Sequence, residues 1–496
     1  MSKDKDPDSP ATTSYAWDMM APKWGMISTL LGGTASMREA GTEYLPKHAE
    51  ETDYNYRIRL EQNTLFNMFE LTLDSMVGRP FSDPVSHTDE MPEEMEEWLK
   101  DIDLQGNADS TFLRKWFREG VAKGIAHVLI DMPSMDDETR LGRTLADDMV
   151  ENRRPYWQLV EPENLIFAAS EIRNGVEFLT HVRIYEVDFV QEGFAERMRE
   201  RIRVIEPNRF IVYEKVKTKS KKEPEWVVVN SGDTDFDFVP LVTFYANKRE
   251  DLMLTKPPME DLAFLNIRHW QSTADQWNIL TVARFPILAA SGVVDSDGQM
   301  AIGPRQLLTS KDSQGRFYYV EHDGKAMEQG RQDLMDLENQ MAAYGAAFLT
   351  QKPGNPTATA RALDAAETTA TLQDMTVRFM DAANTALRVT GTMMGVEEVG
   401  EITISTDFGP EKVNEAHFRA LLELRRNRDL SLEDTLLEFQ RAGALSDEFD
   451  VQENMDRLQE EPTVESPFAT GQNAGQKGGP RQLDEKQGRP EGGGSE

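Results

Sequence analysis

The sequence contains no cysteine, which excludes disulfide bonds, thiolate metal sites and cysteine nucleophiles. It has no run approaching the roughly 18 apolar residues that a membrane-spanning helix needs. The first residues, MSKDKDPDSPATTS, lack the apolar core of a signal peptide. We therefore expect no membrane partner and assembly in a reducing cytoplasm.

Positive charge is also scarce. The chain carries 54 Lys+Arg against 87 Asp+Glu, a formal charge of −33. This balance argues against tight, sequence-independent binding of phosphates through a general basic surface. It does not exclude a nucleic acid that passes the protein without being held.

The usual marks of catalysis are missing. The seven histidines are scattered, and no HExxH, GxxxxGK[ST] or GxSxG motif occurs. Asp233, Asp235 and Asp237 imitate the start of a calcium loop, but Phe238 stands where the sharp turn needs glycine. We interpret them as an acidic turn between strands. Nucleotide hydrolysis and hydrolase chemistry therefore lack their usual marks, and we expect no metal and no cofactor.

What is present is an ordered series of periodic segments. Helical spacing covers 54–123, including one predicted stripe from Ile58 through Leu65, Phe69 and Leu73 to Met76. From 124 to 247 the period changes to two, in short runs such as IAHVLID and RFIVYEKVK, which predicts a mainly antiparallel β region. Residues 1–15 and 461–496 are too polar to pack, so we expect both to be disordered.

Three long helical patterns follow the β region. The first continues to Pro286, the second spans 326–349 and the third spans 358–395, ending at Gly395. A compact β-prone insert, 286–325, separates the first two. A strand, EITIST, and two shorter helices come last, the second opening with a capping arrangement of Ser431 and Asp434. The fold class expected from this series is α+β.

The order of these segments resembles that of the portal proteins of tailed bacteriophages. Similar stretches include NTLFNMFELTLDSMVGRPF, FLNIRHWQSTADQWNILTVARFPILAASG, FYYVEHDGKAMEQGRQDLMDLENQMAAYGAAFL and TATARALDAAE. The resemblance covers about residues 50 to 410 and lies in order and extent, since no stretch is a chemical signature. It is to a portal-like subfamily.

The resemblance implies a division of the chain into portal domains. These would be a wing (16–257, returning at 358–409 as a long helix and strand), stem helices (258–285 and 326–349), a clip (286–325), a tunnel loop (350–357) and a crown (410–460). Facing the channel would be Lys352, Pro353, Gly354, Asn355 and Pro356. The seam packing neighbouring stems would contain Trp270, Trp277, Leu334, Leu337, Met341, Tyr344 and Phe348.

Portal proteins form a closed ring, typically of about twelve subunits, at one vertex of the capsid. The resemblance therefore implies a homo-oligomeric ring in the virion, assembled in the host cytoplasm. Its partners would be the large terminase subunit that packages DNA, the major capsid and scaffolding proteins, and a head-tail adaptor. Double-stranded DNA would pass through the ring without sequence specificity, and an acidic wall would keep it mobile.

Two alternatives stay open at this point. The chain could be another ring or connector component of a virion, although such adaptors are usually shorter and lack a bracketed clip. It could also be an enzyme with an unrecognised acidic active site. An ordinary helix-to-helix turn is likewise an alternative for residues 350–357. The mass of the assembled protein separates a large ring from a small enzyme oligomer.

Overall fold

A computed structural model shows a mixed helix-and-sheet protein, which confirms the predicted α+β class. The structure describes residues 6–88, 91–133, 153–217, 224–234, 236–283, 287–291, 314, 316–320, 325–349, 358–406, 408, 415–427, 429–441 and 449–460. The chain divides into two units, the first ending at Phe408 and the second beginning at Gly409. Asp235, the predicted tunnel loop, most of the predicted clip and the predicted tail 461–496 lie outside the described residues.

Two helices that the periodicity did not reveal open the chain, α1 (Tyr15–Leu31) and α2 (Gly33–Ala40). Ser14 caps α1 by accepting a hydrogen bond from the Trp17 amide at 3.1 Å. The Ser14 amide donates to the carbonyl of Ile166, far along the chain, at 2.8 Å. The described part of the first 15 residues is thus attached to the β region, whereas composition had predicted disorder.

The single helical stripe predicted from Ile58 to Met76 is wrong, because two helices occupy this stretch. They are α3 (Asp53–Gln62) and α4 (Met68–Gly78). The break is stabilised at Asn67, whose side chain accepts a hydrogen bond from the Glu70 amide at 3.2 Å and so begins α4. An asparagine that caps a new helix interrupts the chain without disturbing the apolar spacing on either side.

Helices α5 (Glu93–Leu99) and α6 (Asp109–Lys123) meet the first sheet at a cluster of buried aromatic residues. The ring of Trp157 lies 5.4 Å from that of Trp98 and 6.0 Å from that of Trp116, centroid to centroid. Its Nε1 donates to Thr390 Oγ1 at 2.8 Å, which satisfies the polar atom of a buried side chain.

The first sheet is three-stranded and antiparallel. Its central strand is β2 (Ile125–Asp131), between β3 (Tyr156–Val160) and β9 (Leu241–Tyr245). β2 is buried from its first residue to Ile130, because helices and strands cover both faces. Its sequence, IAHVLID, is accordingly a continuous apolar run. Within it, burial lowers the pKa of His127 to about 3.

The second sheet is five-stranded, antiparallel and ordered as in the sequence, which confirms the predicted β region. Its strands are β4 (Leu165–Arg173), β5 (Val176–Glu192), β6 (Ala195–Glu206), β7 (Arg209–Val216) and β8 (Glu225–Asp233). The pairing of β5 with β4 stops at Ile184, and that of β6 with β7 stops at Arg201. Residues 185–200 therefore form a two-stranded extension, called the arm below.

Three long helices follow two short strands, β10 (Arg249–Asp251) and β11 (Leu254–Thr255). These helices are α7 (Glu260–Ala283), α8 (Lys325–Leu349) and α9 (Ala358–Met394), each within a few residues of its predicted span. Between α7 and α8, β12 (Ile287–Ser291) pairs antiparallel with β13 (Arg316–Val320). Strand β14 (Ile402–Thr403), predicted as EITIST, pairs with β1 (Ser86–His87).

In its described part the second unit contains three helices, one more than predicted: α10 (Glu415–Asn427), α11 (Leu432–Arg441) and α12 (Val451–Glu460). The predicted capping arrangement before α11 is confirmed, since Ser431 Oγ accepts a hydrogen bond from the Asp434 amide at 2.9 Å.

Candidate functional site

Helices α7 and α8 form an antiparallel pair, called the long-helix pair below. At one end Tyr344 Oη donates to Asp261 Oδ2 at 3.5 Å, and at the other Gln276 Nε2 donates to the Met327 carbonyl at 2.9 Å. The beginning of each helix thus lies beside the end of the other. At 1.5 Å per residue the pair is about 36 Å long.

Two glycines of α8 allow the helices to approach closely. A Cβ on Gly330 would lie 2.0 Å from Gln276 Oε1 on α7, and a Cβ on Gly345 would lie 2.7 Å from Thr72 Oγ1 on α4. Helix α8 is therefore seated against α7 and α4 at these positions. A larger residue at either position would force its neighbour to move.

Buried asparagines attach α7 to the broken helix α3–α4. Asn63 Nδ2 donates to the Trp270 carbonyl at 2.8 Å. Asn266 accepts from the Phe69 amide at 3.0 Å and donates to the Phe66 carbonyl at 2.9 Å. Both asparagines are fully buried. Their hydrogen bonds satisfy backbone groups that would otherwise have lost their bonds to water on folding. Sequence reasoning missed them, although a polar residue inside an apolar stripe is the signal that could have shown them.

An ion-pair network holds the other end of α7. Arg59 pairs with Glu51 at 2.8 Å and with Asp275 on α7 at 3.2 Å. The hydrogen bond from Arg59 lowers the pKa of Glu51 below its ordinary value. The Arg59–Glu51 pair is shielded from solvent, with side chains 2% and 7% exposed, and the bond to the half-exposed Asp275 joins the last turn of α3 to α7.

The predicted seam divides into two groups. Trp270, Leu337 and Met341 are buried within the single chain, at 0%, 2% and 0% exposure. Their burial is thus explained by packing inside one subunit. Leu334 and Tyr344 are half-buried, and Trp277 is 45% exposed. The assignment of this row to contacts between subunits stays a prediction, and its accessible members are those three.

The remaining predicted site residues receive no test. The side chain of Phe348 lies outside the described residues, although its backbone belongs to α8. Lys352, Pro353, Gly354, Asn355 and Pro356 lie wholly outside the described residues, between the end of α8 and the start of α9.

The outer side of the long-helix pair is open and mainly polar. On α8 the exposed residues include Glu328, Gln332, Asp336 and Asn339, with Met335 at 41% exposure. On α7, Phe264 is 56% exposed. Among the described residues nothing covers these side chains, so the pair presents a long surface with isolated apolar contacts along it.

One group of carboxylates could in principle hold a metal, Glu119, Glu161 and Glu163. The ammonium of Lys123 lies among them, paired with Glu119, 2.8 Å from Glu163 and 3.8 Å from Glu161. Although burial opposes the charge, the carboxylates raise the pKa of Lys123. Burial raises the pKa of Glu119 in turn. The lysine takes the central position that a cation would need, so this cluster fits a structural role.

A cavity of about 590 Å³ lies where the arm leaves the body of the protein. It is lined by α6, β3, β5 and β6, and its charged groups include Lys115, Asp188 and Arg201. Asp188 pairs with Arg199, and Arg201 lies 3.3 Å from Glu214. The charges that line it are thus largely balanced by protein partners, and no single ligand chemistry is indicated.

A family profile described as a domain of unknown function, DUF4055, matches residues 258–393, which extend from just before α7 to the penultimate residue of α9. No curated protein matches the chain. No helix among the described residues is long and apolar enough to cross a membrane.

Among solved structures, the chain is similar to the neck of a native GTA particle computed with C12 symmetry, at 11% identity and a TM-score of 0.38, covering 82% of this chain and 98% of that chain. It is similar to the neck of an empty GTA particle computed with C6 symmetry, at 11% identity and a TM-score of 0.38, covering 87% of this chain and 100% of that chain. It is also similar to the virion of a native gene transfer agent (GTA) particle, at 10% identity and a TM-score of 0.38, covering 89% of this chain and 99% of that chain. Scores of this size do not establish a shared fold.

Proposed function

We propose that the chain is a portal-type subunit, which closes into a ring at one capsid vertex and lets double-stranded DNA pass through its centre. The observation that carries this proposal is the long-helix pair. Its inner side is packed on α4, while its outer side is open along about 36 Å. Such a pair can pack side by side with copies of itself.

A closed ring requires two different surfaces on each subunit, one that gives the contact and one that receives it. The pair supplies two, the outer side of α8 around Met335 and the side of α7 that carries Phe264. The half-exposed Trp277 lies near the end of α7 that leads to the β12–β13 insert.

The acidity of the chain supports passage of DNA, in preference to binding. Each Lys or Arg contact with a phosphate releases counterions and stabilises the bound position, so a basic wall would retain a moving duplex. With 87 Asp+Glu against 54 Lys+Arg, this chain has no excess of positive side chains with which to hold the phosphates of DNA. Screening over about 8 Å at physiological salt limits how strongly the acidic wall opposes entry.

The proposal assigns no catalytic role to the chain. Packaging would be driven by a separate terminase, and capsid, scaffolding and adaptor proteins would contact the outer surfaces of the ring. The carboxylates that come closest to an acidic centre, Glu119, Glu161 and Glu163, are occupied by Lys123, which disfavours the alternative of an acidic active site. The mature location would be the virion.

The mass of the purified protein is the first test. A ring of about twelve copies of a 56.3 kDa chain should scatter light as a particle of roughly 0.7 MDa. End-on images should show a central opening. A stable monomer or dimer at every concentration tried would contradict the proposal and return the enzyme alternative.

A matched pair of substitutions separates folding from assembly. Leu337→Asp places a charge in a buried contact and should lower the subunit's own stability by several kcal/mol. Met335→Asp changes an exposed residue two positions away, so it should keep the thermal midpoint and reduce ring formation. Full assembly of the Met335 variant would remove the outer side of α8 from the contact.

The predicted tunnel loop has its own test. Deleting Gly354 to Pro356 should spare ring formation but impair packaging or retention of DNA. Replacing Asn355 and Thr357 with lysine adds positive charge to every copy and should slow DNA movement with strong salt dependence. Normal packaging by both variants would favour an ordinary turn.

A further inference from the structure

We propose that the arm, residues 185–200, docks on the exposed edge of β8 in a second copy of the chain. This contact rests on the ring proposed above, and it would lie in the β region, separate from the long-helix pair. Among the described strands the two strands of the arm pair only with each other, because the pairing with β4 ends at Ile184 and the pairing with β7 ends at Arg201. At about 3.3 Å per residue, its eight-residue strand of β5 extends roughly 26 Å.

One face of the arm, called its apolar face, carries exposed apolar side chains next to Glu200, whose carboxylate is paired with Lys215 of β7. Phe189 and Met198 are directly paired across the strands, so they lie on the same face, at 66% and 55% exposure. Val187 lies two residues before Phe189 on that face and is 43% exposed. At the turn, Gly193 has φ +66° and is followed by Phe194, which is fully exposed at 112%.

This face continues a stripe that is buried at the base of the arm. Tyr185 pairs with Ile202, which is 0% exposed and belongs to a small core also contacted by Ala11 and Trp17. The N-terminal segment thus covers the stripe at its base, whereas the described residues leave it bare along the arm. A two-stranded hairpin on its own is marginally stable in water, so a partner surface over this face would stabilise the arm beyond what its continuation into the sheet provides.

The opposite face of the arm does not need one. Arg199 pairs with Asp188 across the strands, and Arg201 pairs with Glu214 of β7. Arg203, one step further down, pairs with Asp131 and Glu186. The charges of this face are satisfied within the chain, so the apolar face is the one available to a partner.

A complementary surface exists on the same chain. β8 is the last strand of the five-stranded sheet and, among the described strands, pairs only with β7. Its consecutive residues Val227, Val228 and Val229 are 43%, 52% and 46% exposed. An exposed apolar strand edge invites pairing, and proteins usually protect it. Because arm and edge occur on every copy, neighbouring copies would cover both.

Charge also favours this pairing. The arm contains five acidic residues and two arginines, a net negative charge. Residues 217–224, between β7 and β8, contain four lysines and one glutamate, whereas Lys215 at the end of β7 is already paired with Glu200 of the same chain. Opposite net charges would steer the arm of one copy toward the β8 region of the next.

The absence of cysteine allows a direct test in the full chain. Two single variants, Phe194→Cys and Val228→Cys, carrying tags of different size, are co-expressed and treated with a short bis-maleimide. We expect a crosslinked species that contains both tags and is absent when either variant is treated alone. Pairing Val228→Cys with Ile172→Cys, at the opposite end of the same sheet and 77% exposed, is the matched control.

The outcomes separate this contact from the proposed ring. Particles of ring mass that lack the mixed crosslink would overturn the arm contact alone. Free alkylation of the Phe194→Cys thiol in such particles would have the same consequence. The arm would then be available to contact another protein. A crosslink between two Phe194→Cys chains would replace the β8 edge by a symmetric arm contact. Wild-type protein that does not assemble, together with variants that do not crosslink in this way, would overturn both proposals.

A second variant measures the strength of the contact. Phe189→Ser combined with Met198→Ser should raise the concentration needed for half assembly by about tenfold or more, because apolar anchors dominate such contacts. Ile172→Ser should leave it unchanged. Assembly of the double variant at the wild-type concentration would contradict the proposal, since the thermal midpoint reports separately whether the subunit is folded.

Discussion

The two main sheets of this protein share an antiparallel build but have different surroundings. In the three-stranded sheet, β2 is buried on both faces by α6, α9 and α1. In the five-stranded sheet, the arm and β8 expose Phe189, Met198 and Val228. One sheet completes its core within the chain. The other leaves apolar surface uncovered among the described residues, so the two sheets differ in how far a single chain completes their packing.

Paired aromatic substitutions should break this comparison most clearly. Trp157→Ala in the buried sheet should lower the free energy of unfolding by about 3–5 kcal/mol, since it opens a cavity and leaves Thr390 without its donor. Phe189→Ala on the arm should change the monomer by about 0.5 kcal/mol or less. Urea unfolding of both variants at dilute concentration is the measurement. Equal costs would mean that the arm is as well packed as the core.

Replacing Lys123, which lies at the connection between the two sheets, should lower the free energy of unfolding. Lys123→Met leaves the carboxylates of Glu119 and Glu163 facing each other, and we expect a loss of about 2–4 kcal/mol at pH 8. Because burial already raises the pKa of Glu119, that carboxyl takes up a proton as the pH falls. The loss should therefore be smaller near pH 5 than at pH 8. A loss independent of pH would contradict this electrostatic explanation.

A titration should sharpen the comparison through His127. Its pKa in the fold is about 3, against about 6.5 when unfolded, so between these values the unfolded chain binds the additional proton. Stability should fall by about 1.4 kcal/mol per pH unit below 6.5 from this residue.

The measurement compares the wild type with His127→Gln from pH 7 to pH 4.5. The difference between their stabilities should change by about 2–3 kcal/mol over that range. His181→Gln, in the five-stranded sheet beside Glu206, provides the control for replacing a histidine as such. A constant difference between the wild type and His127→Gln would show that solvent reaches the buried sheet.

The smallest effect is expected at the surface of the five-stranded sheet. Hydrogen bonds from Arg249, at 2.9 Å, and from Ser170 lower the pKa of Glu177 to about 2. Stability from this pair is present above about pH 4.3 and is lost as the pH falls toward 2. Since both side chains are more than a third exposed, Arg249→Gln should cost less than about 1 kcal/mol. Thermal unfolding at pH 7 and pH 2.5 measures it.

Local pattern predicted much of this fold, and specific residues show why it stopped where it did. The spacing of α7, α8 and α9 revealed their spans, because a long amphipathic helix repeats its signal many times. The break at Asn67 was not predicted, since one capping hydrogen bond leaves the apolar period intact. The hydrogen bond between Ser14 and Ile166 was not predicted for another reason: composition gives no information about which backbone groups distant in sequence meet in the fold.

The site shows the same division. Periodicity identified Trp270, Leu337 and Met341 as apolar positions on the long helices, but it could not show that α4 and the rest of the same chain bury them. Only the folded chain distinguishes a residue that is packed within the chain from one that is exposed, such as Met335. The arm illustrates the converse, because an alternating strand looks the same in sequence whether or not a layer covers its apolar face.

By itself the sequence determined the helix and strand periods, the order of the segments, the acidic surface and the absence of thiol chemistry, because these depend on residue type and near neighbours. The tertiary structure decided where the helix α3–α4 breaks, which apolar rows are completed within the chain, and that Lys123 takes the centre of the carboxylate group. These depend on groups brought together across long stretches of chain, as Asn63 meets Trp270, and burial and pairing are properties of that meeting.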